Sequence, residues 1–504
     1  MEVAWLFKNS NGRSTQMQMF SVKEAVDFIR NMPQGKRNWQ LPGDNGRYKP
    51  EELEPLLGYD QWAVWLALVE WFWMVVIGER MSQQERRLLT QKRLFKVLDK
   101  MTTTEQDRIE KGKPKKKGSP KEKPLGHDIL ALRQMMAKEL PTSLLRYLHL
   151  SATSYDIICT AYALQAKTVF EKVYWPTMKE VDDIWRKRID EFSEIIQAGR
   201  THLQTALPVT VGFWLAQLHS RFIKCALELK RANDNLESKF SGAVGTSASQ
   251  RALFGTSYEK TLMDILGLKK ACVSTQIVPP ESLSRFYFEM VLFSGALANL
   301  GDDVRFLQAS EVGEVMSISS TSSAMPHKVG NPIVAEQAAG MHSNILGDFL
   351  KVLLTLVSNL QRDLRGSSVM RMQPAVIVDT FIQLKGVGRL LRSLKVNEAR
   401  CRQNFDREAR LVVAELLHLA LQMEGVTESH DLVNKVIVPG AALSKNNLAE
   451  EMNGYLTREG KGSHLYSSWE KVPPAICRIF VYPDEYLGYA VEIAKEEADN
   501  CLTG

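Results

Sequence analysis

Between Ser317 and Gly340 the chain reads SISSTSSAMPHKVGNPIVAEQAAG, a run of hydroxyl side chains followed by Lys328 and then Asn331-Pro332. Asn is a good helix cap and Pro suits the first helical position, so the run is predicted to feed a helix N-terminus. Such a terminus offers unpaired backbone N–H groups and a partial positive charge. Lys328 adds a full charge just before it. Together these suit a carboxylate, or a carboxylate gaining charge as a neighbouring C–H loses its proton. Low complexity alone would give a plain exposed loop. Met325, Pro326 and the abrupt cap argue for a built site instead.

Other chemistry-bearing residues are weaker in isolation. Gly199-Arg200-Thr201-His202-Leu203-Gln204 follows one long helical pattern and precedes Pro208, which can start another. A lone His there reads first as a cap or a core residue; a proton-transfer role needs a partner. Thr153-Ser154 stands ahead of a helical pattern and reads as a cap. Ser241 to Thr246 (SGAVGT) reads as a helix C-cap and turn.

Long helices must position these residues. Met178, Val181, Trp185, Ile189, Phe192 and Ile196 recur at spacings of three and four, which makes one apolar stripe. Similar patterns run through 208–240, 281–310 and 331–361. A helix of roughly 30 residues spans about 45 Å, which points to an elongated bundle. Alternating strand patterns are scarce, and no glycine-rich phosphate motif follows a strand. A shorter helical region follows Val396, with Gly425, Gly440 and Gly454 as turn points. The predicted class is all-α. The predicted segments are an N-terminal extension (1–46), an N-terminal helical domain (47–152), a central long-helix bundle (153–395) and a C-terminal helical domain (396–504). In the extension Ser21 can cap a short helix, VKEAVDFIRNM. Residues 102–126, rich in Lys, Pro and Gly, are predicted to be an exposed loop inserted in the second segment. A polyanion-binding patch is the alternative for this run.

Composition sets the outer bounds. The 504 residues are 44% hydrophobic, ample for a core, and the formal charge is +6. That excess suits small anions and is too weak to argue for nucleic acid. Six scattered cysteines without a CxxC pair give no zinc ribbon and fit reduced thiols in a cytoplasmic protein. The first residues lack a basic region followed by an apolar stretch, so no signal peptide is expected. Trp62 to Ile77 is nearly all apolar but short for a membrane span and carries Glu70, so a buried core helix is expected.

The Ser-rich segment, SSAMPHK…NP, closely resembles the G-S-S-x-M-P-x-K-x-N signature of the fumarase/aspartase superfamily. Two positions depart from it: Thr321 replaces a Gly, and Gly330 is one residue extra before Asn331, while Glu336 keeps its spacing after Asn331. G-R-T-H-L-Q resembles another block of the superfamily, as do Gly126-His127-Asp128-Ile129, Thr153-Ser154-Tyr155-Asp156-Ile157 and the Ser241–Thr246 turn. The resemblance implies a bundle of long helices flanked by two smaller helical domains. It also implies a homotetramer whose active sites each draw on three chains. The implied reaction is β-elimination across a C–N bond to release fumarate, with no metal or organic cofactor. Ser322 would take the proton, His202 would protonate the leaving nitrogen, Glu336 would orient His202, and Lys328 would supply positive field. Thr153, Ser154, Thr201, His127, Asp128, Gln276, Ser323, Met325 and Asn331 would hold the substrate.

Arg47-Tyr48 and Arg362…Ser367…Arg371 resemble segments of the branch that acts on succinylated nucleotides. Two guanidinium groups and a hydroxyl suit a dianionic phosphate, so adenylosuccinate is the expected substrate. The succinylated aminoimidazole carboxamide ribotide is a second. An Arg-rich helix surface is the plainer reading of the block. The alternatives are another member of the superfamily, such as an argininosuccinate lyase or a cycloisomerase, and a non-catalytic helical scaffold.

Overall fold

The computed structural model describes residues 6–8, 14–16, 21–33, 35, 37–43, 48–115, 120, 123–317, 325, 327, 330–362, 366–371, 374–460 and 463–503. Helices dominate, and the strands among these residues form four two-stranded sheets. The chain divides into two compact units, each assembled from separated stretches: 1–178, 225–295 and 340–384 in the first, 179–224, 296–339 and 385–504 in the second.

The first unit is organised around the helix Gln61–Val76. Its apolar residues leave no polar face, and nearly all are buried, as a helix hydrophobic all round requires. Gln61–Arg80 is the one described stretch long and apolar enough to cross a membrane, and 89% of its most apolar 18-residue window is buried inside the protein. It is the core helix expected from its length and Glu70. It packs against the helix Ser154–Val169. The Trp73 ring stacks on Phe240 and its N–H donates to the Leu150 carbonyl at 2.8 Å. Glu70 is fully buried and meets His149 Nδ1 at 2.5 Å. The helix Val22–Arg30 starts on a capping box of Ser21 with Glu24, as its sequence predicts, and stacks Phe28 on Phe95.

Part of the expected 102–126 loop is a helix, Thr103–Glu110. Thr102 caps it by accepting the Glu105 N–H at 3.2 Å. Thr103, Gln106 and Ile109 face inward, and Arg108 reaches back to Glu105 at 2.7 Å. One isoleucine in eight residues gives almost no periodic signal, so capping and tertiary burial decide the segment. Residues 116–119, 121 and 122 of the Lys-rich run lie outside the described residues.

In the second unit Val181, Trp185, Ile189 and Phe192 of the predicted stripe are buried. The first three lie on the helix Trp175–Glu191, and residues 211–224 of the helix Val211–Asp234 belong to the same unit. The Trp185 N–H donates to the Leu215 carbonyl at 3.1 Å. A separate apolar cluster, with Leu417, Leu421, Ile437, Met452 and Phe480 at its centre, fills the C-terminal part. The long helices Glu281–Leu307 and Ile333–Leu353 match two further patterns, although the second ends eight residues before the predicted Gln361. Pro208 starts no helix: 204–210 is a strand, and the helix begins at Val211.

Candidate active site

Eight of the residues expected to bind substrate line one open cavity of about 1110 Å³ in the first unit: His127, Asp128, Thr153, Ser154, Gln276, Arg362, Ser367 and Arg371. They come from four separated stretches of chain. His127 caps the helix Asp128–Glu139 by accepting the Leu130 N–H on Nδ1, which puts its proton on Nε2. Nε2 then faces Ser154 Oγ at 3.3 Å. Asp128 accepts from Arg371 at 3.2 Å, and Arg362 donates to Gln276 Oε1 at 3.0 Å. The cavity lining thus combines two guanidinium groups with hydroxyls beside a helix N-terminus. That is a surface for an elongated ligand with more than one anionic group.

A buried ion pair holds this wall together. Asp156 follows the Thr153-Ser154-Tyr155 turn and is wholly buried, as is Lys239, 2.7 Å away. The Asp156 carboxylate also accepts the Thr153 N–H at 2.8 Å, the Ser241 N–H at 3.1 Å and the Gly242 N–H at 3.1 Å. The Lys239 ammonium donates to the carbonyls of Gly242 at 2.8 Å and Gln276 at 3.0 Å. The pair therefore joins the start of the Ser154–Val169 helix to the SGAVGT turn and to Gln276. Burial pushes the Asp156 carboxyl up, against the pull of Lys239 and the backbone donors. Gly245 is required in this turn: its φ is +82°, in the left-handed range, and a Cβ there would lie 2.0 Å from the Ser274 carbonyl oxygen. Burial also pushes the Cys159 thiol, behind the wall, up to about 11, which leaves it inert.

His202 is neither a helix cap nor a core residue. It sits at the tip of a hairpin formed by strands Ile196–Thr201 and Gln204–Thr210. His202 and Leu203 both have positive φ, 53° and 63°, and both are exposed. Two non-glycine residues in left-handed conformation form the tight turn and hold the imidazole outward, a strained arrangement of the kind found at functional sites. Glu314 braces the hairpin. It is fully buried, pairs with Arg200 through both oxygens, and accepts from Gln197 and Asn404 at 2.8 Å each. It directly precedes the strand Val315–Ser317, which enters the Ser-rich loop. Gln308 clasps that loop at its base, accepting from the Ser317 backbone and hydroxyl at 2.9 Å each and donating to the Gly330 carbonyl. The additional Gly330 is thus part of the clasp.

Ser322, Ser323 and Lys328 lie outside the described residues, and so does Arg47. Met325 is exposed and Asn331 half-buried. The helix begins at Ile333, with Pro332 accepting the Glu336 N–H at 2.9 Å, so the start falls within two residues of the expected cap. Glu336 is exposed, and no hydrogen bond joins it to His202 among the described residues. Thr201 ends the first hairpin strand and is exposed; Tyr48 is exposed and does not line the cavity. Among the described residues no group of three or more His, Cys, Asp or Glu could hold a metal ion.

Sequence reasoning missed Tyr155, Glu110, Trp62 and Met370, which also line the cavity. Trp62 and Tyr162 stack with ring centres 4.3 Å apart. Such aromatics in an apolar helix are indistinguishable from core residues until the helix is packed. Tyr155 had one available signal, its place inside the Thr-Ser-x-Asp segment.

Comparison with known proteins shows the family. A family model described as "Lyase" matches residues 79–347, and one described as "Adenylosuccinate lyase C-terminal" matches residues 358–466. The chain is 30% identical over 357 residues to an adenylosuccinate lyase of Methanocaldococcus jannaschii, covering 67% of this chain and 76% of that protein. It is 30% identical over 392 residues to one of Pyrococcus horikoshii, covering 73% and 80%. In fold it is similar to a fumarate lyase from Mesorhizobium sp. BNC1, with a TM-score of 0.72 and 21% identity over 90% of this chain and 99% of that one. It is likewise similar to a 3-carboxy-cis,cis-muconate lactonizing enzyme from Pseudomonas putida, at 0.68 and 20% over 87% and 93%. The chain belongs to the fumarate lyase superfamily of enzymes. Within it, the chain is adenylosuccinate lyase-like and carries that type of C-terminal domain.

Proposed function

We propose that the chain cleaves adenylosuccinate to AMP and fumarate, and that the succinylated aminoimidazole carboxamide ribotide is a second substrate. The observation that carries this reading is the convergence of Arg362, Ser367 and Arg371 with His127, Thr153, Ser154 and Gln276 around one cavity. A substrate that carries one phosphate and two carboxylates matches that set of donors. Argininosuccinate has no phosphate to meet the guanidinium end. The names of the similar curated proteins support the same substrate.

In the proposed reaction Ser322 removes a proton from the carbon beside one succinyl carboxylate. The electron pair forms the new C=C bond, the neighbouring C–N bond breaks, and His202 protonates the departing nitrogen. A serine hydroxyl is a very poor base in water, so the step needs a closed, electropositive site. Lys328 and the helix start at Ile333 supply that field and stabilise the extra carboxylate charge. Glu336 fixes the His202 tautomer, and because both are exposed within one chain, their pairing belongs to the assembled form. The proposed assembly is a cytoplasmic homotetramer with shared active sites. Leu346, Leu350 and Leu353, exposed along the helix Ile333–Leu353, support it as a subunit contact.

An ultraviolet assay of the purified protein with adenylosuccinate, with AMP and fumarate identified as products, tests the reading. Turnover of argininosuccinate or another succinyl compound, with none of adenylosuccinate, would overturn it.

A further inference from the structure

Tyr155 lies between two residues already placed in the wall, Ser154 and the buried Asp156, in the first turn of the Ser154–Val169 helix. Its side chain touches both halves of the cationic end. The Arg362 guanidinium carbon sits 3.5 Å from the centre of the Tyr155 ring, a stacked cation–π contact. The Tyr155 hydroxyl donates to Ser367 Oγ at 3.2 Å. Tyr155, Arg362, Ser367 and Met370 also form the wall shared with a second, apolar cavity of about 620 Å³.

We infer that Tyr155 is a specificity-determining positioning residue that presets Arg362 and Ser367 for a phosphate monoester; this rests on the phosphate reading of the cavity. The chemistry follows from donor arithmetic. A serine hydroxyl has one hydrogen and two lone pairs. Once Ser367 accepts from Tyr155, its own hydrogen is directed to another acceptor, and phosphate oxygens are acceptors. Stacking occupies the face of the Arg362 guanidinium and confines its hydrogen bonding to the edge, where planar donors match phosphate oxygens. Gln276 accepts from one edge of the guanidinium, Nη1, at 3.0 Å. Because Tyr155 stands on a helix turn pinned by Asp156 and Lys239, little ordering remains when the ligand arrives.

The test uses Y155F and Y155L in the full-length protein. Each is assayed for kcat and KM with adenylosuccinate and with its dephosphorylated nucleoside, and for inhibition by inorganic phosphate. Y155F removes the hydroxyl alone. It is expected to lower the preference for the phosphorylated substrate about 3- to 10-fold, through KM. Y155L also removes the stack and is expected to lower it about 10- to 100-fold. The phosphate inhibition constant should rise in step. If Y155L fails to fold, the nearly isosteric Y155F decides. Variants that keep the wild-type preference and phosphate inhibition, including variants equally impaired on both substrates, would reduce Tyr155 to a wall residue and overturn the inference. A wild-type protein with no preference and no phosphate inhibition would overturn the phosphate reading first, and the role of Tyr155 with it.

Discussion

Lys239 and Asp156 form a fully buried ion pair at 2.7 Å whose other described side-chain bonds go to backbone groups of the cavity wall. Desolvating two charges is costly, and a hydrophobic replacement of both can be neutral for stability. What a hydrophobic pair could not do is hold Thr153, Gly242 and Gln276 in register.

Removing one partner strands the other. Lys239→Met should destabilise the protein by about 3–5 kcal/mol, because Asp156 would be left buried beside only neutral donors. Lys239→Met with Asp156→Leu should recover much of that stability without recovering substrate affinity. Chemical denaturation alongside KM measurements checks both halves. Full recovery of KM in the double variant would show that the pair does not position the wall.

The cationic end makes a separate prediction. A phosphate bound equally in ground and transition states contributes to KM more than to kcat. Charge-assisted contacts are worth about 1.5–3 kcal/mol, so Arg371→Ala should raise KM for adenylosuccinate roughly 10- to 100-fold. Inorganic phosphate should compete with substrate in the wild type and less well in the variant. A change confined to kcat would remove Arg371 from phosphate binding.

For the proposed proton-transfer pair, His202→Ala and Ser322→Ala should each lower kcat by about 10²- to 10⁴-fold with helical content unchanged by circular dichroism. The hairpin should survive the first change, because Glu314 braces it from Arg200, Gln197 and Asn404 rather than from its tip. If active sites are shared between chains, mixing the two inactive variants under conditions that exchange subunits should restore part of the activity. Near-wild-type turnover in either single variant would withdraw its assigned role.

A fourth prediction concerns pH and stability. His219 is fully buried between Asp182 at 2.7 Å and Glu497 at 2.6 Å, and Asp182 also accepts the Leu502 N–H at 2.9 Å. Both ring nitrogens face carboxylates, so both carry protons and the ring is an imidazolium. Burial alone would lower its pKa, but the two carboxylates outweigh burial and raise it. A raised folded-state pKa adds stability that is fully present below the unfolded value of about 6.5 and is lost as pH rises through the folded value. Thermal midpoints should therefore fall as pH rises from that value upward, and less steeply in His219→Gln. Equal slopes for the two proteins would show that His219 does not hold that proton.

The sequence by itself determined the helical class, the core role of the Trp62–Ile77 segment and the capping of Val22–Arg30 by Ser21. Each depends on short-range pattern: a stripe at helical spacing, an unbroken apolar run, or a cap three residues from its partner. Its motifs also singled out eight of the residues that line the cavity. Only the tertiary structure decided that Asp128 would meet Arg371, and Gln276 meet Arg362, across 243 and 86 residues of chain. It alone turned the G-R-T-H-L-Q segment into a hairpin, because the Glu314 that braces it lies more than a hundred residues away. It made Thr103–Glu110 a helix, since burying Ile109 depends on neighbours no local pattern contains. And it gave Tyr155 its place, because a stacked guanidinium and a bonded hydroxyl are supplied by chain some 200 residues downstream. Local propensity writes the elements; contacts distant in sequence choose which side chains face one another.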